Sequence, residues 1–96
     1  MTTVQEQASA GVAMPAVFRV WIRPMGHAWK IRTEGVAGAN WLVYELSRRN
    51  LQCTDPAPAG TDMFVLRCMS ATVHEKNYVW NLLKRFECVD LQNDPA

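Results

Sequence analysis

Hydrophobic and polar residues alternate along two short runs that follow the first fifteen residues. In residues 16–23 apolar side chains occupy every second position, and two arginines and a tryptophan occupy the positions between them. Residues 28–33 repeat the pattern around Trp29 and Ile31. Such alternation is typical of strands that bury one face. Because only residues 24–27, with a proline and a glycine, separate the runs, the pattern predicts a β-hairpin closed by that turn.

The period then changes to that of a helix. Ala39, Leu42, Val43 and Leu46 recur at the spacing of one helical face, which predicts an amphipathic helix over residues 37–49. Thr33 or Asn40 is available to cap its first turn, and Asn50 suits the left-handed position that closes a helix. The preceding GVAG segment, residues 35–38, is interpreted as a plain turn. Residues 51–53 follow as a short strand.

The second half repeats this order. Residues 62–69 alternate as a strand, after a loop over residues 54–61. Thr72 and Glu75 match a capping box, which predicts a helix over residues 73–85. Its apolar stripe consists of Val79, Leu82, Leu83 and Phe86. Residues 86–91 read either as a short last strand or as a continuation of the helix, and the strand is favoured.

These elements predict an α+β fold, a two-layer sandwich of the ferredoxin-like type. Its plan is βαββαβ or a β-βαββα variant, with two helices packed on one face of a mainly antiparallel sheet of about four or five strands. Strands 16–23 and 86–91 compete for the place beside strand 28–33. We expect strand 16–23 to hold it, because its alternation is better. We expect a single domain over residues 16–91, between a disordered tail at residues 1–15 and a short tail at 92–96.

The amino-acid composition indicates in which compartment the protein is located. The 96 residues are 49% apolar and 20% charged, as in ordinary small soluble domains. Three cysteines without a CxxC pair favour a reducing compartment. The sequence still allows two of them to form one disulfide. No apolar run approaches the roughly 20 residues that cross a bilayer, and the N-terminus lacks the pattern of a signal peptide. We therefore expect a cytoplasmic protein without membrane contact.

The net charge of +1 conceals an uneven distribution, because no acid lies between Glu6 and Glu34. The strand pattern places the intervening bases on the polar side of the sheet, away from the helices. The predicted open sheet face consists of Arg19, Trp21, Arg23, Lys30, Arg32, Met63, Val65 and Arg67. Five neighbouring cations repel one another, and an anionic partner would relieve that repulsion.

Three interpretations of this face stay open. It is a merely solvated surface whose long side chains protect the sheet, a contact surface for an acidic or apolar protein segment, or a site for single-stranded nucleic acid. The aromatic-rich strand motif of RNA-recognition domains is absent from residues 62–68. The apolar members of the face also allow self-association, with the acidic residues Glu87, Asp90 and Asp94 between two sheets.

No catalytic, metal or cofactor site is predicted. Cys68 and His74 would need a third orienting group to form a nucleophilic site. The cysteines and histidines have no metal-binding spacing. Trp29 is assigned to the core, while Trp41 and Trp80 border the helical stripes and could line a pocket between the helices. The sequence thus favours a non-catalytic binding or regulatory module that makes protein–protein contacts through its open sheet face. Single-stranded RNA binding through the same face is the alternative.

Overall fold

The computed structural model of the chain describes residues 14–93, which form a small α+β domain. Its elements are β1 (Phe18–Met25), β2 (Ala28–Glu34), α1 (Val36–Ser47), β3 (Gln52–Cys53), β4 (Ala57–Pro58), β5 (Met63–Met69), α2 (Tyr78–Leu83) and β6 (Val89–Asn93). The predicted α+β class is thereby confirmed, and each predicted helical segment contains a helix. No helix of these described residues is long and apolar enough to cross a membrane.

One mixed sheet contains all six strands, in the order β3–β5–β2–β1–β6, and β4 also pairs with β5. The predicted hairpin is confirmed, since β1 and β2 pair antiparallel around the turn at Gly26 and His27. Strand β1 holds the place beside β2, as expected. The last strand lies outside it, at the edge of the sheet, and runs parallel to β1.

The strand count exceeds the predicted four or five because the supposed loop 54–61 contains β4, which pairs with Phe64 and Val65. Pro24, expected to end the first strand, lies within β1 opposite Trp29. Proline has a backbone φ compatible with extended structure, so it ends a strand only where its missing amide is needed. Strand β6 extends to Asn93, two residues beyond the predicted domain end at residue 91. The predicted tails fall largely on residues 1–13 and 94–96, which lie outside the described residues.

The core lies between one face of the sheet and the two helices. The strands contribute Phe18, Val20, Ile22, Trp29, Ile31, Leu66 and Cys68, and the helices contribute Trp41, Leu42, Leu46, Val79 and Leu83, all buried. Trp29 belongs to this core, as its position in the alternation predicted, and its indole N–H donates a hydrogen bond to the Lys76 carbonyl at 3.0 Å. Burying the indole therefore leaves its one donor satisfied.

The first helix begins one residue earlier than predicted and without a side-chain cap. Gly35 is its N-cap residue, with a φ of 83° that favours glycine. Neither predicted capping residue acts as one, because Thr33 lies inside β2 and Asn40 within the helix. The expected left-handed closure at Asn50 is confirmed by its φ of 66°.

The second helix is much shorter than predicted. It begins at Tyr78 rather than residue 73, so the capping box at Thr72 and Glu75 is wrong. The Ser70 hydroxyl accepts hydrogen bonds from the backbone N–H groups of Thr72 and Val73, at 3.2 and 2.9 Å. These bonds stabilise a turn that competes with the helix for the same amides.

Candidate binding face

The eight residues assigned to the open face do lie on one side of the sheet, opposite the helices. We call this surface the open face; β1, β2 and β5 carry it at the centre of the sheet. Along β1 and β2 its members alternate with buried core residues. On β5 the same alternation places Val65 and Arg67 on either side of the core residue Leu66. The local pattern of each strand thus determines which side chains share this surface.

Strand register brings three of the bases into one line across the sheet. Arg23 of β1 lies opposite Lys30 of β2, and Lys30 lies opposite Arg67 of β5. We call these three residues the basic row. Adjacent strands are about 4.8 Å apart, so the three cations stand close together. Like charges directly opposite one another destabilise a sheet, and Lys30 and Arg67 are such a pair.

Trp21 lies in the next line of the open face and is covered by guanidinium groups. It is opposite Arg32 in the register, and the Arg32 guanidinium carbon lies 5.0 Å from the centre of its ring. The Arg19 guanidinium carbon lies 5.7 Å from the same ring. Both distances are those of cation–π contacts. Within the described residues, the buried Nε of Arg32 has no hydrogen-bond partner.

Two acids outside the predicted set of eight residues also belong to the open face. Glu34, one residue beyond the predicted strand 28–33, is the last residue of β2, and its carboxylate forms an ion pair with Arg19 at 2.6 Å. This hydrogen bond and the paired charge raise the pKa of Arg19 and lower that of Glu34. Asp90 of β6 lies opposite Arg19 from the other side. Extending the alternation of β2 by one residue would have found Glu34, whereas placing Asp90 required the pairing of β6.

The open face is therefore divided electrostatically. At the Arg19 end, acids balance the charge. Toward the basic row, Lys30, Arg32 and Arg67 form no ion pair with any acid among residues 14–93. Half-buried Val65 lies directly opposite Arg32 and adds an apolar contact beside the cations. Half-buried Met63, the eighth residue, lies at the balanced end, opposite Glu34.

The nucleophilic arrangement considered for Cys68 and His74 loses its structural basis. The helix that would place its N-terminus near the thiol begins only at Tyr78. The neighbouring Cys53 thiol and burial both raise the pKa of Cys68. His74 packs edge-to-face on His27, with ring centres 5.5 Å apart. The part of the chain that the structure describes contains no cluster of three or more metal-ligating side chains.

Trp41 and Trp80, which border the helical stripes, have different surroundings. Trp41 is buried and packs edge-to-face on Phe18 and Phe86, with ring centres 6.2 and 4.9 Å away. Trp80 instead borders a cavity of about 370 Å³ between α2 and the ends of β1 and β6. The cavity is lined by Ile22, Pro24, Lys76, Asn77, Trp80, Asn81 and Asn93.

Comparisons of the chain with protein-family models, with curated proteins and with solved structures found no match. The geometry of the open face is therefore the basis for inferring a function.

Proposed function

We propose that this protein is a non-catalytic binding module whose open face binds an acidic segment of a partner protein. The observation that carries the proposal is that strand register places Lys30 directly opposite Arg67, and that neither forms an ion pair with an acid among residues 14–93. A solvated sheet face avoids that repulsion by interspersing acids, as the Arg19 end does with Glu34. A carboxylate-bearing segment over Lys30, Arg32 and Arg67 would remove the repulsion and supply acceptors for the guanidinium groups.

The surroundings of Trp21 favour a protein segment over nucleic acid. Single-stranded nucleic acid is held by cations along its backbone and by bases stacked on aromatic rings. Here two guanidinium groups lie over the Trp21 ring, so a base would have to displace them. An acidic segment leaves them in place, and its apolar residues have Val65 to contact. Single-stranded RNA is the second candidate, since a line of cations also suits phosphates.

Paired charge reversals test the proposal. The double variant Lys30→Glu/Arg67→Glu alters the open face, and its matched control Lys84→Glu/Arg85→Glu makes the same charge change beyond the end of α2, where both residues are exposed. Fluorescence anisotropy would measure binding of a labelled peptide of alternating glutamates and leucines, and of a labelled single-stranded RNA, at low and physiological salt.

We expect the peptide to bind the natural protein and the control at least tenfold more tightly than the open-face variant. RNA binding that is lost in the same variant, and falls steeply with salt, would favour the second candidate. Absence of binding to both probes at low salt would contradict both functions and leave a solvated face. Sedimentation of the same variants tests self-association through the open face. If two copies associate there, the open-face variant should self-associate more strongly, because it removes repulsion between the basic residues of the two copies.

For the fold, we propose a ferredoxin-like arrangement to which β1 has been added. Strands β2 and β3 each pair antiparallel with β5, which fits a crossover through α1, and β6 follows α2. In this interpretation β1 is inserted between the first and last strands of the usual plan. A cytoplasmic location, consistent with three free cysteines, belongs to the same proposal.

A further inference from the structure

Two cysteines that are distant in sequence lie side by side at the β3 edge of the sheet. Cys53 of β3 is the register partner of Cys68 of β5. Side chains of directly opposite residues project from the same face of a sheet, so both thiols point toward the helices. Cys68 is fully buried, whereas Cys53 at the edge is only partly covered. Cys53 is therefore the more exposed residue of the pair.

Opposite residues in an antiparallel ladder alternate between hydrogen-bonded and non-hydrogen-bonded pairs, and the Cα atoms of the second type are closer together. Cys53 and Cys68 form a pair of this closer type. The backbone N–H of Thr54 donates to the Arg67 carbonyl at 2.8 Å, so that pair is of the hydrogen-bonded type. Pair types alternate along the ladder, and the adjoining Cys53–Cys68 pair is therefore of the other type, with Cα atoms about 4.5 Å apart. Disulfides span Cα separations of roughly 4.4 to 6.8 Å. The bond can form without moving either strand far.

The environment assigns different roles to the two sulfurs. Hydrogen bonding from the Cys68 thiol, and to a smaller extent from the Ser47 hydroxyl, lowers the pKa of Cys53, although burial opposes this. Cys68 is the more deeply buried thiol, and its pKa is raised. Cys53 is thus the first to ionise and also the one that an oxidant can reach.

We propose that Cys53 and Cys68 form a reversible intramolecular disulfide, with Cys53 as the attacking and Cys68 as the resolving thiol. The proposal does not depend on the function of the open face. Intracellular disulfides of this kind are usually transient and redox-sensing.

The reaction is thiol–disulfide exchange with a small-molecule disulfide such as oxidised glutathione. The Cys53 thiolate attacks one sulfur of the oxidant, whose S–S bond breaks, and the released thiolate takes the proton that Cys53 lost. The mixed disulfide is then attacked by the Cys68 sulfur. The bond between Cys53 and glutathione breaks as the Cys53–Cys68 bond forms. The second glutathione leaves as a thiol that carries the Cys68 proton. Two protein thiols are oxidised and one external disulfide is reduced to two thiols.

The test is incubation of the folded full-length protein with oxidised glutathione, followed by alkylation of remaining thiols and mass spectrometry. We expect the free thiols to fall from three to one, with the loss of two hydrogen atoms and no retained glutathione. A peptide linked between Cys53 and Cys68 should appear in a digest, and a thiol reductant should reverse the change.

The controls use the third cysteine. Cys88 is also buried, but it precedes β6 at the opposite edge of the sheet, so Cys88→Ala should still form the bond. Cys68→Ala should stop at the glutathione adduct on Cys53, and Cys53→Ser should show neither product. Circular dichroism verifies that each variant folds. A stable adduct on Cys53 in the natural protein, a link to Cys88, or three unreacted thiols would each overturn the proposal.

Discussion

Gly38, in the first turn of α1, lies against the aromatic ring of Phe18 on β1. A methyl group at Gly38 would come within 2.6 Å of Cδ2 of that ring and 2.8 Å of Cγ. Carbon atoms do not approach so closely, and Phe18 is 6% exposed, so its ring has little room to move. The missing side chain at Gly38 is therefore what permits α1 to lie close to the sheet at this point.

Replacing Gly38 with alanine should destabilise the protein. In an exposed helix the change stabilises by about 1 kcal/mol, but overpacking a core costs roughly 1–3 kcal/mol. We expect a net loss of about 1 kcal/mol, measured by urea unfolding. In a Phe18→Leu background the same substitution should cost less, because the smaller side chain can move aside. An equal cost in both backgrounds would contradict the proposed contact.

The ion pair between Arg19 and Glu34 should make a small, acid-sensitive contribution to stability. Pairing lowers the pKa of Glu34 in the folded state, so the contribution is present above the ordinary pKa of glutamate and is lost as the pH falls through the lowered value. Glu34→Gln should thus lower Tm slightly at pH 7, and the difference should shrink as the pH falls through the lowered pKa of Glu34. The effect is small because the Arg19 side chain is 55% exposed. A Tm difference between the two proteins that grows as the pH falls would contradict the expected pH dependence.

The two arginines over Trp21 should differ in their contribution to binding at the open face. Arg19 is paired with Glu34, whereas Arg32 has no acidic partner among the described residues. Arg32→Gln should therefore weaken binding of the acidic peptide by about tenfold, as expected for loss of a hydrogen bond to a charged group. Arg19→Gln removes the same charge and also the same kind of cation–π contact, and should change affinity far less. Equal losses in anisotropy titrations would argue against the electrostatic division of the open face.

The alkylation rate of Cys53 should report its contact with Cys68. Because the Cys68 thiol lowers the pKa of Cys53, the pH midpoint of its reaction with iodoacetamide should lie below that of a free cysteine. Cys68→Ala should raise that midpoint and slow the reaction at pH 7, since less thiolate is present. Cys88→Ala, the matched control, should leave the midpoint unchanged. If Cys68→Ala also left it unchanged, the two thiols would not be in contact.

Oxidation of the cysteine pair should stabilise the fold. A Cys53–Cys68 bond closes a loop of about 15 residues, for which the chain-entropy estimate is about 3 kcal/mol. In a domain of this size that corresponds to a rise in Tm of roughly 10 °C or more. Differential scanning fluorimetry of the oxidised and reduced protein measures it, with Cys53→Ser as the control that should not respond. A lower Tm after oxidation would indicate a strained bond.

The sequence alone determined the elements whose pattern is local. Alternation in residues 16–23 and 28–33 identified the hairpin and the sides of its strands, and the spacing from Ala39 to Leu46 identified α1. The same alternation assigned eight residues to the open face. Such local patterns are informative because burial of one side of a strand or helix repeats with the geometry of that element.

Tertiary structure decided the features that depend on pairing. Only the position of β6 brought Asp90 opposite Arg19, and only the register between β3 and β5 joined Cys53 to Cys68. The Ser70 hydroxyl accepts hydrogen bonds from the amides of Thr72 and Val73, and α2 begins only at Tyr78, although the capping-box pattern is present in the sequence. Register and strand order are fixed by contacts between segments far apart in the chain, and a local pattern contains no information about which distant residue will lie opposite.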